Sequence, residues 1–166
     1  SQFAEDLKSF FNQHGISKCH LLGFSDGGNV ALLFALKYPD RVERLILNGA
    51  NLDPCGVKLK TQIPIVLGWG LCRLCALFSQ QAKQNWEMLN LMVTQPHIHR
   101  AELAGLDMPV LVVAGEQDMI RESHTQSIAA NIPNSRLVIL PGDHFIARRN
   151  WQGFNDTVLE FLLDRS

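Results

Sequence analysis

Apolar and polar positions alternate along this chain with two distinct periods. Phe3, Leu7, Phe10 and Phe11 recur at i, i+4, i+7 and i+8, which predicts an opening amphipathic helix ended by His14-Gly15. A short apolar run over about Lys18 to Gly23 predicts a strand. The run Asn29 to Leu36 then predicts a helix that Tyr38-Pro39-Asp40 stops. Further strands are expected over Val42–Leu47, Val110–Val113 and Arg136–Leu140, with a helix from about Arg121 to Asn131. Trp151, Phe154, Val158, Phe161 and Leu162 mark a closing helix with one apolar face. Short apolar strands that alternate with helices imply an α/β fold: a parallel sheet with helices on both faces.

Residues 52–106 break this alternation, so the core comprises 1–51 and 107–166. The middle stretch reads as a small helical insertion, with turns at Asp53-Pro54 and Gln95-Pro96. An insertion at the C-terminal side of the strands would cover a site there, as a lid does. Trp69, Phe78, Trp86, Leu89, Leu91 and Met92 are its candidate pocket residues. The plainer alternative for each is packing between the helical layer and the core.

Gly23-Phe24-Ser25-Asp26-Gly27 carries the sharpest chemistry. The form is G-x-S-x-G, and it lies between a predicted strand and a predicted helix, the setting of a nucleophile elbow. Flanking glycines would let strand and helix pass closely. A glycine-rich strand-to-helix turn that happens to hold a serine is the competing explanation.

A serine hydroxyl needs a base in reach, and the base needs an orienting acid. Open α/β sheets place such groups at the C-terminal ends of strands. Asp118 follows the third strand and His144 follows the fourth, so the catalytic candidates run Ser25, Asp118, His144. Asp53 after the second strand is an alternative acid, and Glu116 and Asp143 stand close to the chosen residues. His14, His20, His97, His99 and His124 are read as surface or packing histidines. The backbone N–H of Asp26 is an oxyanion-hole candidate. Its carboxylate would either repel anionic acyl groups and favour cationic ones, or serve only as the charge at a helix start.

Composition narrows the classes. The chain has 166 residues, 46% hydrophobic and 19% charged, with a net charge of −1, as expected of a globular domain with a real core. Near-neutral charge without a basic block argues against nucleic acid and anionic membrane as partners. The longest apolar stretch, Ile63 to Phe78, is broken by Pro64, Gly68, Gly70 and Arg73 and is too short to span a bilayer. The acidic, amphipathic start does not read as a secretion signal. The cysteines are Cys19, Cys55, Cys72 and Cys75. Cys72 and Cys75 form a lone C-x-x-C; with His97 and His99 a zinc site is conceivable, but the spacing matches no finger and one helix face holds both thiols. No metal is expected, nor a disulfide framework, and a reducing cytoplasm is the expected compartment.

Leu21 to Asn51, LLGFSDGGNVALLFALKYPDRVERLILNGAN, resembles the nucleophile region of α/β-hydrolases. MPVLVVAGEQD, Met108 to Asp118, resembles their acid-bearing strand end, and Leu140 to His144 their histidine loop. The form G-F-S-D-G-G is similar in particular to the branch of biphenyl-hydrolase-like amino-acid-ester hydrolases. The resemblance implies a serine hydrolase that acts on a small-molecule ester or related acyl bond, without cofactor. Ser25 would be its nucleophile, His144 its base and Asp118 its acid. Phe24 and Asp26 beside the serine, and Trp69 and Trp86 in the helical insertion, are the candidate substrate contacts. Serine in the nucleophile position argues against dehalogenase and epoxide-hydrolase chemistry. Two alternatives stay open: a non-catalytic protein of this fold that binds a ligand or partner, and a carbon–carbon bond hydrolase or perhydrolase with the same triad. In the family, several strands precede the elbow strand, and a loop among them supplies the second oxyanion donor. The expectation is therefore the C-terminal part of a larger hydrolase, with the elbow strand at an open sheet edge.

Overall fold

The computed structural model describes residues 2–164; Ser1, Arg165 and Ser166 lie outside the described residues. Four parallel strands form one sheet in the order β1 (Cys19–Phe24), β2 (Val42–Asn48), β3 (Val110–Gly115), β4 (Ser135–Leu140). Every residue of β3 is buried, as its unbroken Val-Leu-Val-Val-Ala-Gly run anticipates for a central parallel strand. β1 instead alternates: Cys19 and Leu21 are half-buried, whereas Leu22 and Phe24 are exposed. Among the described residues β1 pairs with β2 alone, so its other edge is open.

Two apolar layers sandwich the sheet. On one face α1 (Gln2–Gln13), α2 (Asp26–Lys37) and α5 (Glu122–Ala130) bury Phe11, Leu32, Phe34 and Ile128 against Leu45, Leu47, Val110 and Val112. On the other, α6 (Ile146–Arg149) and α7 (Trp151–Leu163) bury Ile146, Phe154 and Phe161 against Ile46, Leu111 and Val113. The alternation of Leu45, Ile46 and Leu47 between layers is the period-two rule of a strand. Each side chain of this size contributes roughly 1.5–3 kcal/mol on full burial.

The expected stripe of α1 is rotated, and that of α7 holds except at its first residue. In α1 the buried positions are Ala4 and Phe11, with Leu7 packed beside them, while Phe3 and Phe10 stay half exposed. Trp151, expected on the inner face of the last helix, is 56% exposed because it is the first residue of α7 and precedes the turn that meets the sheet.

The middle third is an antiparallel pair of helices, α3 (Leu59–Cys75) and α4 (Gln80–Thr94), and no residue of either is fully buried. Ser79 caps α4 by accepting the Ala82 N–H. Leu52, Ile98, Leu103 and Leu106, which flank the pair, belong to the main core. No helix among the described residues is long and apolar enough to cross a membrane.

Candidate active site

Ser25 sits between the end of β1 and the first turn of α2 at φ 53° and ψ −123°. A non-glycine residue in this region stores on the order of 1–3 kcal/mol of backbone strain. Hydrogen bonds hold it there. Its N–H donates to the Asn48 carbonyl at 2.8 Å, and its carbonyl accepts from the N–H groups of Gly28 at 2.8 Å and Asn29 at 3.2 Å. A β-carbon on Gly23 would come within 2.6 Å of Gly28 Cα, so strand and helix meet too closely for any side chain. The second close approach belongs to Gly28, which packs on Ala50, and not to Gly27, whose β-carbon would meet open space. The first flanking glycine of the motif, Gly23, is thus required by packing, and the second, Gly27, is not.

His144 arrives on the loop after β4. Gly115 lets that loop cross the end of β3: a β-carbon there would lie 2.6 Å from the Gly142 carbonyl oxygen. Asp143 steadies the loop by accepting the Phe145 N–H at 2.9 Å and by pairing with Arg149. The imidazole is 5% exposed, with Nε2 2.9 Å from Ser25 Oγ and Nδ1 2.8 Å from Asp118 Oδ1. Asp118 is 2% exposed, and the same oxygen accepts the Ile120 N–H at 2.9 Å. A carboxylate at Nδ1 fixes the tautomer: the ring proton resides on Nδ1, and the Nε2 lone pair faces the serine hydroxyl. The ring is held from two sides, by Gly49 below and by the Phe24 ring 4.9 Å away.

The competing groups lie elsewhere. Asp53 starts a short 3-10 turn, and its carboxylate acts on His124. Glu116 is exposed. His20 is exposed beside Glu43, His14 stacks on Phe10, and His99 caps a 3-10 turn with Glu102. His124 is buried, and its Nε2 accepts the Leu52 N–H at 2.9 Å. Burial pushes its pKa below the ordinary value; Asp53 opposes this, while Arg100 and Arg121 reinforce it. Cys72 and Cys75 are half-buried and exposed on α3, and among the described residues no group of His, Cys, Asp and Glu could hold a metal ion.

Two cavities meet at Asp26. The smaller, about 30 Å³, is lined by Ser25, Asp26, Asn51, Gln62, Ile65 and Met92 among others. The larger, about 470 Å³, is lined by Phe3, Asp26, Val30, Leu33, Leu91 and Pro96 among others. Gln95 borders both. Leu91 and Met92 therefore face cavities, whereas Trp69 and Trp86 line neither. Trp69 donates to Asn90 Oδ1 at 3.0 Å across the helix pair, and the Trp86 Nε1 is buried without a partner. Leu89 packs toward Gly68 within the helix pair, and Phe78 is 91% exposed.

Sequence reasoning passed over Gly49, Asn29 and Asn51. The signal was available for one of them: Asn29 opens an otherwise apolar helical run, so its polar side chain had to find a buried partner.

Residues 1–70 match the family model described as the alpha/beta hydrolase fold. Among curated proteins, the human serine hydrolase BPHL is 27% identical over 178 aligned positions, which span 96% of this chain and 60% of that protein. The 2-hydroxy-6-oxononadienedioate/2-hydroxy-6-oxononatrienedioate hydrolase of Escherichia coli strain K12 is 38% identical over 86 positions, 52% of this chain and 28% of that protein. The chain thus matches only part of the length of these relatives. Among solved structures, a hydrolase from Pseudomonas aeruginosa superposes with a TM-score of 0.72 at 26% identity, over 97% of this chain and 71% of that one.

Proposed function

Because this chain belongs to the α/β-hydrolase fold family, we propose that Ser25, His144 and Asp118 form the catalytic triad of a serine hydrolase that cleaves a carboxylic ester or related acyl bond. The observation that carries this reading is the buried relay from Ser25 Oγ through both His144 nitrogens to Asp118 Oδ1, at 2.9 and 2.8 Å.

In this reading His144 Nε2 takes the serine proton as Oγ attacks the acyl carbon. The resulting imidazolium is held through Nδ1–H by Asp118. The Asp26 N–H, in the first turn of α2 where backbone donors lack intrahelical acceptors, faces the developing oxyanion. The tetrahedral intermediate collapses, and the leaving alkoxide takes the proton from Nε2. The acyl group remains on Oγ. A water molecule then gives its proton to Nε2 and attacks the same carbon. Collapse of the second intermediate releases the acid and returns the proton to Oγ. All of this proceeds on side chains and backbone alone. Within residues 52–106 the helix pair α3–α4 serves as the lid, with Ile65, Leu91 and Met92 toward the substrate, and Phe24 supports the imidazole.

Asp26 selects the substrate. Asp26 borders both cavities, next to the nucleophile, and a carboxylate at this residue favours an acyl group that bears a cationic amine and repels carboxylates. The similarity to a hydrolase named for a dioate supports carbon–carbon bond cleavage by the same triad as a second reading. The charge of Asp26 weighs against a dianionic substrate of that type.

The experiment is hydrolysis of p-nitrophenyl acetate by the full-length protein. Wild type should turn it over, and Ser25→Ala should reduce kcat by several decades, with only a residual from binding and the oxyanion hole. Equal rates would remove Ser25 from the mechanism.

A further inference from the structure

The loop that follows β2 is tied to the nucleophile turn at both of its ends. At its start the Asn48 carbonyl accepts the Ser25 N–H at 2.8 Å. Three residues on, Asn51 and Asn29 exchange two hydrogen bonds. Asn29 Nδ2–H donates to Asn51 Oδ1 at 3.0 Å, and the Asn51 N–H donates to Asn29 Oδ1 at 2.9 Å. The Asn51 side chain then donates to the Asp53 carbonyl at 2.8 Å. Both asparagines are more than nine-tenths buried.

Between these anchors stand two residues with tight neighbours. Gly49, at φ 62°, forms the wall against which the His144 ring rests. Ala50 packs on Gly28 in the first turn of α2. The Asn29 N–H is itself bonded to the Ser25 carbonyl, so one side chain connects the nucleophile's own turn to the wall behind the base. A buried carboxamide pair gains little net stability over apolar residues of similar size, because desolvation offsets most of its hydrogen bonding. What it adds is direction: two bonds of fixed geometry allow one depth for the loop. Apolar packing at the same place would tolerate sliding.

We propose that Asn29 and Asn51 are positioning residues. Their bracket sets the depth of Gly49 and thereby the separation of His144 Nε2 from Ser25 Oγ. Neither residue is a catalytic group; both act through the Gly49–Ala50 segment. The long 3.5 Å contact from Asn29 Nδ2 to Asp26 Oδ1 extends the same control to Asp26, which borders both cavities. The proposal rests on the hydrolase reading of Ser25.

The test is the rate at which a fluorophosphonate probe phosphonylates Ser25 in the full-length protein. The maximal labelling rate is separated from probe affinity and followed across pH, beside Tm and final labelling stoichiometry. Asn29→Ala, Asn51→Ala and the double variant are compared with wild type. A displacement of about 1 Å at reacting groups costs roughly 100-fold in rate. Each single variant should therefore lose about 10- to 100-fold in maximal labelling rate yet still reach one label per chain. The double variant should be no slower than the slower single one, because the two residues act as a unit. Asn29→Leu, close in size and without the hydrogen bonds, replaces Asn29→Ala if that chain does not fold. Variants that lower Tm but label at the wild-type rate, with an unchanged pH profile, overturn the proposal. An unlabelled wild type would instead remove the hydrolase reading, and this inference with it.

Discussion

The imidazole of His144 occupies the space that a side chain on Gly49 would need. A β-carbon at Gly49 would lie 2.7 Å from His144 Cε1 and 2.9 Å from Nδ1. The glycine also has φ 62°, a conformation that costs an L-residue roughly 1–2 kcal/mol. Gly49→Ala should therefore displace the ring from Ser25. The expected outcome is a loss of about 100-fold or more in kcat, with a drop in Tm of a few degrees, read by ester hydrolysis and thermal unfolding. Unchanged kcat would mean that the ring does not depend on this wall.

Strain at Ser25 predicts an opposition between stability and chemistry. Ser25→Gly removes the hydroxyl and relieves a backbone that only glycine adopts freely. The variant should lose acyl transfer, and Tm should rise by a few degrees, because the roughly 1–3 kcal/mol of strain exceeds the added chain entropy of glycine. A lower Tm would show the elbow to be unstrained.

The place of Asp26 predicts substrate preference. In wild type, kcat/KM for an amino-acid ester should exceed that for its N-acetylated form. In Asp26→Asn the preference should disappear. The full Coulomb attraction at about 4 Å is several kcal/mol at an effective dielectric near 20, but desolvation of both charges leaves a much smaller net effect, on the order of tenfold in rate. Equal rates for both esters in wild type would return Asp26 to the role of a helix-start charge.

His124 predicts a pH dependence of stability. Its imidazole must be neutral to accept the Leu52 N–H, and its folded pKa lies below the ordinary value. The unfolded chain therefore binds the proton more readily. The stabilisation is complete above the unfolded pKa of about 6.5 and is lost as pH falls from there toward the folded value. Tm should decline on acidification below neutral, and His124→Gln, which retains a carbonyl acceptor and does not titrate, should flatten that part of the slope. Parallel profiles for the two proteins would contradict this assignment.

Much of the α/β architecture was legible because apolar runs bounded by turn residues are local signals. The β3 run and the Asn29–Leu36 run each announce their element without reference to the rest of the chain. Ser25, Asp118 and His144 could be brought to one edge because each lies just beyond the C-terminal end of a strand, and those ends share one edge of a parallel sheet. The rotation of α1, which buries Ala4 and leaves Phe3 and Phe10 half exposed, was not legible, because it depends on what the helix packs against. Trp69 and Trp86 are expected at the pocket from their place in the helical insertion; which face of a helix turns toward a cavity is decided by partners such as Asn90, 21 residues from Trp69. Gly49 carries no local signal for the same reason, since the ring it accommodates, that of His144, lies far along the chain.

The central claim is that the Ser25 hydroxyl is activated by His144, and covalent capture tests it most directly. Intact-mass measurement after treatment of the full-length protein with a fluorophosphonate should show one adduct, located by peptide mapping on Ser25. The adduct should be absent in Ser25→Ala and form more slowly by several decades in His144→Ala. No adduct on the wild type, or an adduct on another residue that persists in Ser25→Ala, would contradict the account.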